Sequence, residues 1–174
     1  EIALWKFDEN SNSTYDKRKK ILSEVKGLDP FFFATSDHIY LFFSIGNRDN
    51  SVTRLYHSSD LYGKFHEHPD SPIAKGSKYG RIASTIFNSD NNLFRATQSN
   101  VISYGDGMNI FKVKTLTPSS YEEVDMGAMR RPLTVSNIHT RTEASDICII
   151  DYYRYGLNFE KWKFLWKIIK KKHL

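Results

Sequence analysis

FFFATSDHIYLFF, residues 31–43, has a strand–turn–strand pattern. It contains two runs rich in aromatic and β-branched residues, 31–33 and 39–43, on either side of Thr35-Ser36-Asp37. Aromatic and β-branched residues favour strands, and a short cluster of Thr, Ser and Asp is typical of a turn. The stretch therefore predicts a β-hairpin.

Short apolar runs alternate with polar turn clusters along most of the chain, which is the pattern of a sandwich, barrel or propeller. A second hairpin is predicted from 83–87 and 92–97 about a turn at 88–91. Aligning the two hairpins gives a period of roughly 50 residues, in the range of propeller blades. Further strands are predicted at 2–7, 52–57, 109–116, 121–124 and 147–152, and a short strand with a turn at 16–25.

The composition supports a β-rich fold and argues against nucleic-acid binding. The 174 residues include 12 Phe, 10 Tyr and 3 Trp, and aromatic faces also suit sugar-binding surfaces. The net charge is +5, but residues 161–174 alone carry six lysines and no acid. Because the rest of the chain is close to neutral, we predict no nucleic-acid partner.

Helix is predicted only at the end of the chain, over 157–172. Trp162, Leu165, Trp166 and Ile169 recur at the spacing of one helical face. We therefore divide the chain into a β portion, 1–155, and a basic amphipathic helix, 156–174. We expect the helix to dock on the domain or on a partner. Binding to a membrane surface is the alternative.

Cys148 is the single cysteine and lies in an apolar run. It cannot form an internal disulfide, so we expect a small buried hydrophobic residue. No apolar stretch is long enough to span a bilayer. The chain opens inside an apparent strand, which we interpret as a fragment or a processed chain, and nothing in it indicates a compartment.

Asp29 is the first candidate functional residue. It precedes Pro30 at the entrance of a predicted strand, and proline restricts both its own φ and the residue before it. A carboxylate held in this way has a fixed orientation, which suits the binding of a ligand. An ordinary Asp-Pro turn is the alternative.

Two arginines and their neighbours form the next candidate group. Arg81 and Arg95 lie at the strands of the second hairpin, and an arginine within an apolar strand requires an anionic partner. One interpretation is a buried ion pair with Asp29 or another carboxylate. The other is a contact with the hydroxyl, carboxylate or phosphate of a sugar. Gln98 can bond two hydroxyls, and Tyr104 adds an aromatic ring.

His139 precedes the last predicted strand and completes the candidate set. His66 and His68 lie on one side of a strand, but a metal site needs a third ligand at a suitable spacing, and the sequence offers none. There is also no Gly-rich phosphate loop, cysteine pair or nucleophile elbow. We predict neither a metal nor a cofactor.

Several short motifs resemble a known family. LDPF (28–31), YLFF (40–43), LYHSSDLYGKF (55–65) and His68-Pro69 resemble the five-bladed propellers akin to glycoside hydrolase family 43. RIA (81–83), LFRATQ (93–98), Tyr104-Gly105, YEE (121–123) and IHT (138–140) resemble the N-terminal domain of glucosamine inositolphosphorylceramide transferases. The resemblance covers roughly residues 25–152.

The resemblance implies an antiparallel five-bladed β-propeller, of which this chain covers about three blades. It also implies that a glycan or sugar-bearing acceptor binds at the central face, in support of a glycosyl-transferring or sugar-modifying enzyme. Further blades or a transferase domain would then be partners. The site residues would be Asp29, Arg81, Arg95, Gln98, Tyr104 and His139.

The same resemblance leaves catalysis open. Family 43 hydrolases use three carboxylates, and Asp29 matches the one that orients the acid and tunes its pKa. The acid would lie in a turn that here reads Gly80-Arg81-Ile82, and the base belongs to an earlier blade. A hydrolase with carboxylates outside this chain, and a non-catalytic interaction module with a basic tail, are the alternatives.

Overall fold

A computed structural model describes residues 1–6, 17–129, 137–144 and 147–153. Within these ranges the chain is all-β, with one 3₁₀ turn at Arg48–Asn50, and contains no helix long and apolar enough to cross a membrane. The strands are β1 (Ile2–Lys6), β2 (Lys17–Leu22), β3 (Leu28–Ala34), β4 (Ile39–Ile45), β5 (Val52–Ser58), β6 (His66–Glu67), β7 (Ala74–Lys75), β8 (Arg81–Ile82), β9 (Phe87–Ser89), β10 (Asn92–Ser99), β11 (Gly107–Leu116), β12 (Tyr121–Ala128), β13 (Asn137–Ala144) and β14 (Ile147–Tyr153).

The strands form four antiparallel sheets in chain order. The first sheet is β1-β2, and the second is β3-β4-β5-β6 with β7 also paired to β5. The third is β8-β10-β11-β12 with β9 also paired to β10, and the fourth is β13-β14. Each sheet is therefore built from a continuous segment of chain.

Three apolar clusters pack successive sheets against one another. One cluster joins Ile2 of the first sheet to Leu41 and Phe43 of the second. Another joins the second sheet to the third, and a third cluster joins the third sheet to Ile138 of the fourth. The core thus lies between the sheets, and the second and third sheets are covered on both faces.

Strand β4 shows why residues 39–43 are apolar at every position. Leu41 and Phe43 point to the first sheet, whereas Tyr40 and Phe42 point to the third. All four side chains are buried. A strand covered on both faces has a continuous apolar run in place of the alternation of a half-exposed strand.

Both predicted hairpins are present, but the second is interrupted. Asp90 and Asn91 have φ of 49° and 59°, as the two central residues of a tight hairpin turn require. The predicted strand 83–87 is wrong, because β8 ends at Ile82 and β9 begins at Phe87. Between them, Ser84 bridges in parallel to Arg141 of the fourth sheet.

At the end of the chain, two features differ from the sequence prediction, and a third lies outside the described residues. Strand β13 was not predicted, because its sequence NIHTRTEA is mostly polar. Cys148 is exposed, since it lies near the turn end of the two-stranded fourth sheet, so the buried role is wrong. The predicted helix 156–174 lies outside the described residues.

Candidate functional site

The first strands of the second and third sheets begin at the same end of the molecule. The hydroxyl of Thr53 donates to the carbonyl of Gly80 at 3.1 Å, and the amide of Ile82 donates to Ser44 Oγ at 2.9 Å. These bonds fix the start of β8 against the second sheet. We call this region the first-strand end; it comprises Asp29, Arg81, Gln98 and the loops 46–51 and 99–107.

Asp29 and Arg81 form an ion pair across the two sheets at the first-strand end. Arg81 Nε lies 2.5 Å from Asp29 Oδ2, and the Asp29 side chain is 45% exposed while that of Arg81 is 16% exposed. Nε is not in hydrogen-bonding geometry with this oxygen. Asp29 has φ of 51°, in the left-handed region, which costs free energy for a residue with a side chain. The pair therefore presents an accessible carboxylate backed by a largely buried cation.

Gln98 lies directly opposite Arg81 in the ladder between β8 and β10. Because paired residues share a face of the sheet, the two side chains emerge on the same side. Gln98 is buried, and its Oε1 accepts a bond from Asn100 Nδ2 at 3.4 Å. The structure thus places Asp29, Arg81 and Gln98, three of the residues singled out in the sequence, close together.

The loop 99–107 is held from inside by polar bonds. Asn100 is buried, and its Oδ1 accepts the amide of Gly105 at 2.7 Å. The Asp106 carboxylate accepts the amides of Ile102 and Ser103. Ile102 is 85% exposed and Tyr104 is 50% exposed, so a fixed backbone presents an apolar and aromatic surface.

His139 lies in β13, and only its backbone is described. The amide of Arg141 donates to the carbonyl of Ala83 at 2.8 Å, and the strands run parallel at this bridge. The backbone of His139, two residues earlier, therefore lies near the level of β8.

Arg95 points away from this group. Residues 95 and 98 lie on opposite faces of β10, because side chains alternate along a strand. Arg95 is 1% exposed between the second and third sheets, where Nε donates to Glu123 at 2.6 Å and to the hydroxyl of Tyr121 at 3.1 Å. The buried carboxylate that the sequence required is therefore Glu123, and Asp29 pairs with Arg81.

Electrostatics stabilise the charged form of Arg95. Burial alone would lower the pKa of its guanidinium, but Tyr121 and Glu123 outweigh burial, and the net shift is upward. Burial raises the pKa of Tyr121, so its hydroxyl stays protonated and donates to Glu123. Arg95 also stacks on Phe111, with Cζ 4.9 Å from the ring centroid. This network is a structural link between β10 and β12.

Gly80 lies in close contact with the backbone of Ser51. A Cβ on Gly80 would lie 2.0 Å from the carbonyl oxygen of Ser51. Because this is a backbone atom, no side-chain rotation can relieve the clash. We expect Gly80→Ala to lower the free energy of unfolding by roughly 1–3 kcal/mol, measured by chemical denaturation. Gly107→Ala is the matched control, because its nearest neighbour lies 3.8 Å away. Equal losses in both variants would contradict the close approach.

Sequence reasoning missed the residues that hold the site together. Asn100 and Asp106 fix the loop that carries Tyr104, and Arg48 Nη2 donates to the carbonyl of Ile102 at 3.4 Å. The sequence signal was available, since Asn and Asp within a Gly-containing turn commonly bond to nearby backbone amides.

His66 and His68, the pair considered as metal ligands, differ in burial. His66 is exposed, whereas His68 is buried with both ring nitrogens in hydrogen bonds. Within the described ranges, no three His, Cys, Asp or Glu side chains come together in a way that could hold a metal ion.

Comparison with known proteins identifies the family. No curated protein matches the chain. The family model described as glucosamine inositolphosphorylceramide transferase 1, N-terminal, matches residues 20–140. That range includes β3 to β12 complete, and with them Asp29, Arg81, Gln98 and Tyr104. The chain therefore belongs to the family of the N-terminal domain of glucosamine inositolphosphorylceramide transferase 1.

Proposed function

We propose that the first-strand end binds a sugar-bearing or polyol-phosphate acceptor and that the domain serves a glycosyl-transferring enzyme. The accessible Asp29 carboxylate with Arg81 behind it, next to a rigid loop bearing Tyr104, is the observation that supports this. The family description names a transferase, which supports the second half of the proposal.

The proposal includes a propeller architecture. The sheets follow one another face to face in chain order, and the first strands of the last three begin at residues 28, 81 and 137. Spacings slightly above 50 residues are close to those of propeller blades, in which each blade is one continuous segment. In a propeller the first strands surround a central face, where ligands commonly bind.

The Asp29–Arg81 pair has the chemistry for such an acceptor. A carboxylate accepts hydrogen bonds from two vicinal hydroxyls, and a guanidinium donates to hydroxyl or phosphate oxygens. Asp29 is the one ion-pair partner of Arg81 among the described residues, and it engages Arg81 through Nε. Because Nε is not in hydrogen-bonding geometry with Asp29, the contact is one of charge, and we propose that the terminal guanidinium nitrogens donate to the ligand.

Gln98, Tyr104 and His139 complete the proposed site. Gln98 lies beside Arg81, Tyr104 offers a ring on which a pyranose face can stack, and β13 brings the backbone of His139 to the same level. We leave Arg95 out, because its guanidinium is committed to Glu123 in the interior.

We propose binding and not bond cleavage as the role of this chain. Glycoside hydrolysis requires two carboxylates set across the scissile bond. Asp29 supplies one, and it is paired with Arg81. The role of Asp29 is therefore to orient an acceptor hydroxyl for chemistry performed by a transferase domain.

Calorimetric titration with myo-inositol 1-phosphate and, separately, with glucosamine tests the proposal. We expect the wild-type protein to bind at least one of the two probes. Arg81→Met should weaken that binding roughly 10- to 100-fold, since a hydrogen bond to a charged group contributes about 1.5–3 kcal/mol.

Arg54→Met is the matched control. Arg54 forms a comparable ion pair with Glu67 but lies on the surface of β5, away from the first-strand end. We expect this variant to bind as the wild type does, and both variants to keep the wild-type circular dichroism spectrum. If the wild type binds neither probe, or if Arg81→Met and the wild type bind with equal affinity, the proposal is overturned in favour of an interaction module.

A further inference from the structure

Four of the six histidines gather where the second sheet meets the turn between β11 and β12. His57 is at the centre, with ring centroids 5.9 Å from His68, 6.0 Å from His38 and 6.5 Å from His66. His57 and His66 are direct partners in the β5–β6 ladder. Imidazoles at this spacing repel one another when they carry protons.

His68 joins the second sheet to the third through both ring nitrogens. Nε2 lies 2.8 Å from the carbonyl oxygen of Thr117, which can only accept, so Nε2 carries the proton. Nδ1 accepts the amide hydrogen of Asp70 at 3.1 Å. The ring is buried and is neutral in this arrangement. A second proton on Nδ1 would remove the acceptor for the Asp70 amide.

Asp70 carries the contact onward to the third sheet. Its Oδ2 accepts the amide of Tyr121 at 2.8 Å, at the start of β12. Tyr121 in turn bonds to Glu123 and Arg95. The chain of bonds from His68 through Asp70 thus ends at the buried network between the sheets.

The other charged groups around the cluster are mostly engaged. Glu67 is paired with Arg54 and bonded to Tyr56, and Asp37 lies near Tyr40. The Asp70 carboxylate, two residues after His68, accepts the Tyr121 amide. Burial and then the neighbouring His68, His38 and His66 hold the pKa of His57 below its usual value.

We propose that these histidines form an acid-sensitive latch: protonation of the cluster breaks the His68–Asp70 bond and loosens the junction between the second and third sheets. Its basis is the geometry of His68, whose two nitrogens are bonded as only the neutral ring allows. His57 packs against His68, and His38 and His66 lie around His57. The latch is independent of the proposed acceptor site.

The sign follows from linkage. A histidine whose pKa is lowered in the folded state binds fewer protons when folded than when unfolded. Stability from neutral His57 is then fully present above the pKa of an unfolded histidine, about 6.5, and is lost as the pH falls below it. Acidification therefore favours the loosened state.

Hydrogen exchange of backbone amides tests the latch on the purified protein at about pH 7.5 and about pH 5.5. After correction for intrinsic exchange, we expect protection of the Asp70 and Tyr121 amides to fall roughly tenfold on acidification. The Gly63 amide, bonded to the Asp60 carbonyl with no histidine involved, is the internal reference and should keep its protection.

His68→Gln supplies the decisive comparison, because glutamine can donate and accept but does not titrate. We expect Asp70 and Tyr121 to show equal protection at both pH values in this variant. Should the variant not fold, the titration of the His68 ring by NMR in the wild type must coincide with the loss of Asp70 protection. An acid response of equal size in wild type and His68→Gln, or loss of protection without His68 titration, would overturn the latch.

Discussion

Replacing Arg95 with alanine is expected to lower the free energy of unfolding by about 3–5 kcal/mol, the cost of leaving a buried charge without its partner. Arg95 is 1% exposed and the Glu123 side chain 11% exposed, so solvent cannot replace the lost guanidinium. The variant also loses the bond to Tyr121 and the stacking on Phe111. Urea denaturation followed by tryptophan fluorescence measures the change.

Two further variants separate the charge from the packing. Arg54→Ala breaks the exposed Arg54–Glu67 pair and should cost no more than about 1 kcal/mol. The double variant Arg95→Met, Glu123→Leu removes both charges and should recover much of the stability lost in Arg95→Ala. A loss in Arg95→Ala as small as that in Arg54→Ala would show that the pair is not buried as described.

Phe42→Ala is expected to have an effect of similar size, about 3–5 kcal/mol, for an apolar reason. Phe42 is fully buried between the second and third sheets. Its ring stacks on Phe31 at a centroid distance of 4.8 Å and meets the edge of Tyr121 at 6.3 Å. Truncation leaves a cavity between the second and third sheets. The sheets cannot easily move together to fill it, because both are also packed on their other faces.

Phe94→Ala is the matched control for this prediction. Phe94 also belongs to a stacked pair, with Phe87 at 5.7 Å, but it is only partly buried. We expect it to cost clearly less than Phe42→Ala, because the removed atoms were already partly in contact with water. Thermal denaturation of both variants measures the difference. Equal losses would mean that the interface between the second and third sheets does not dominate stability.

The sequence was sufficient for the elements whose pattern is local. Residues 31–43 form the predicted hairpin, because two apolar runs flank a turn that closes with the amide of Thr35 bonded to the carbonyl of His38. The all-β class and the family follow from such segments. Strand β13 escaped prediction because, in a two-stranded sheet, only Ile138 of its residues is described as buried.

Long-range partners were harder to predict, and Arg95 shows the reason. Its direct neighbour in the ladder is Phe111, which is paired with Asp125. The actual partner, Glu123, lies two residues away on β12, and β11 and β12 shift register near this point. A sequence gives the need for a carboxylate, but irregularities in pairing decide which carboxylate meets it.

The way the loop 99–107 is held has a consequence for how this surface can change over evolutionary time. Its conformation depends on Asn100 and Asp106, which bond to the backbone, and not on the outward side chains of Val101 and Ile102. Substitutions at those two positions therefore leave the scaffold intact. Sequence variation at these two positions is thus compatible with the loop conformation that the two supporting residues hold, as variable loops are on a constant framework.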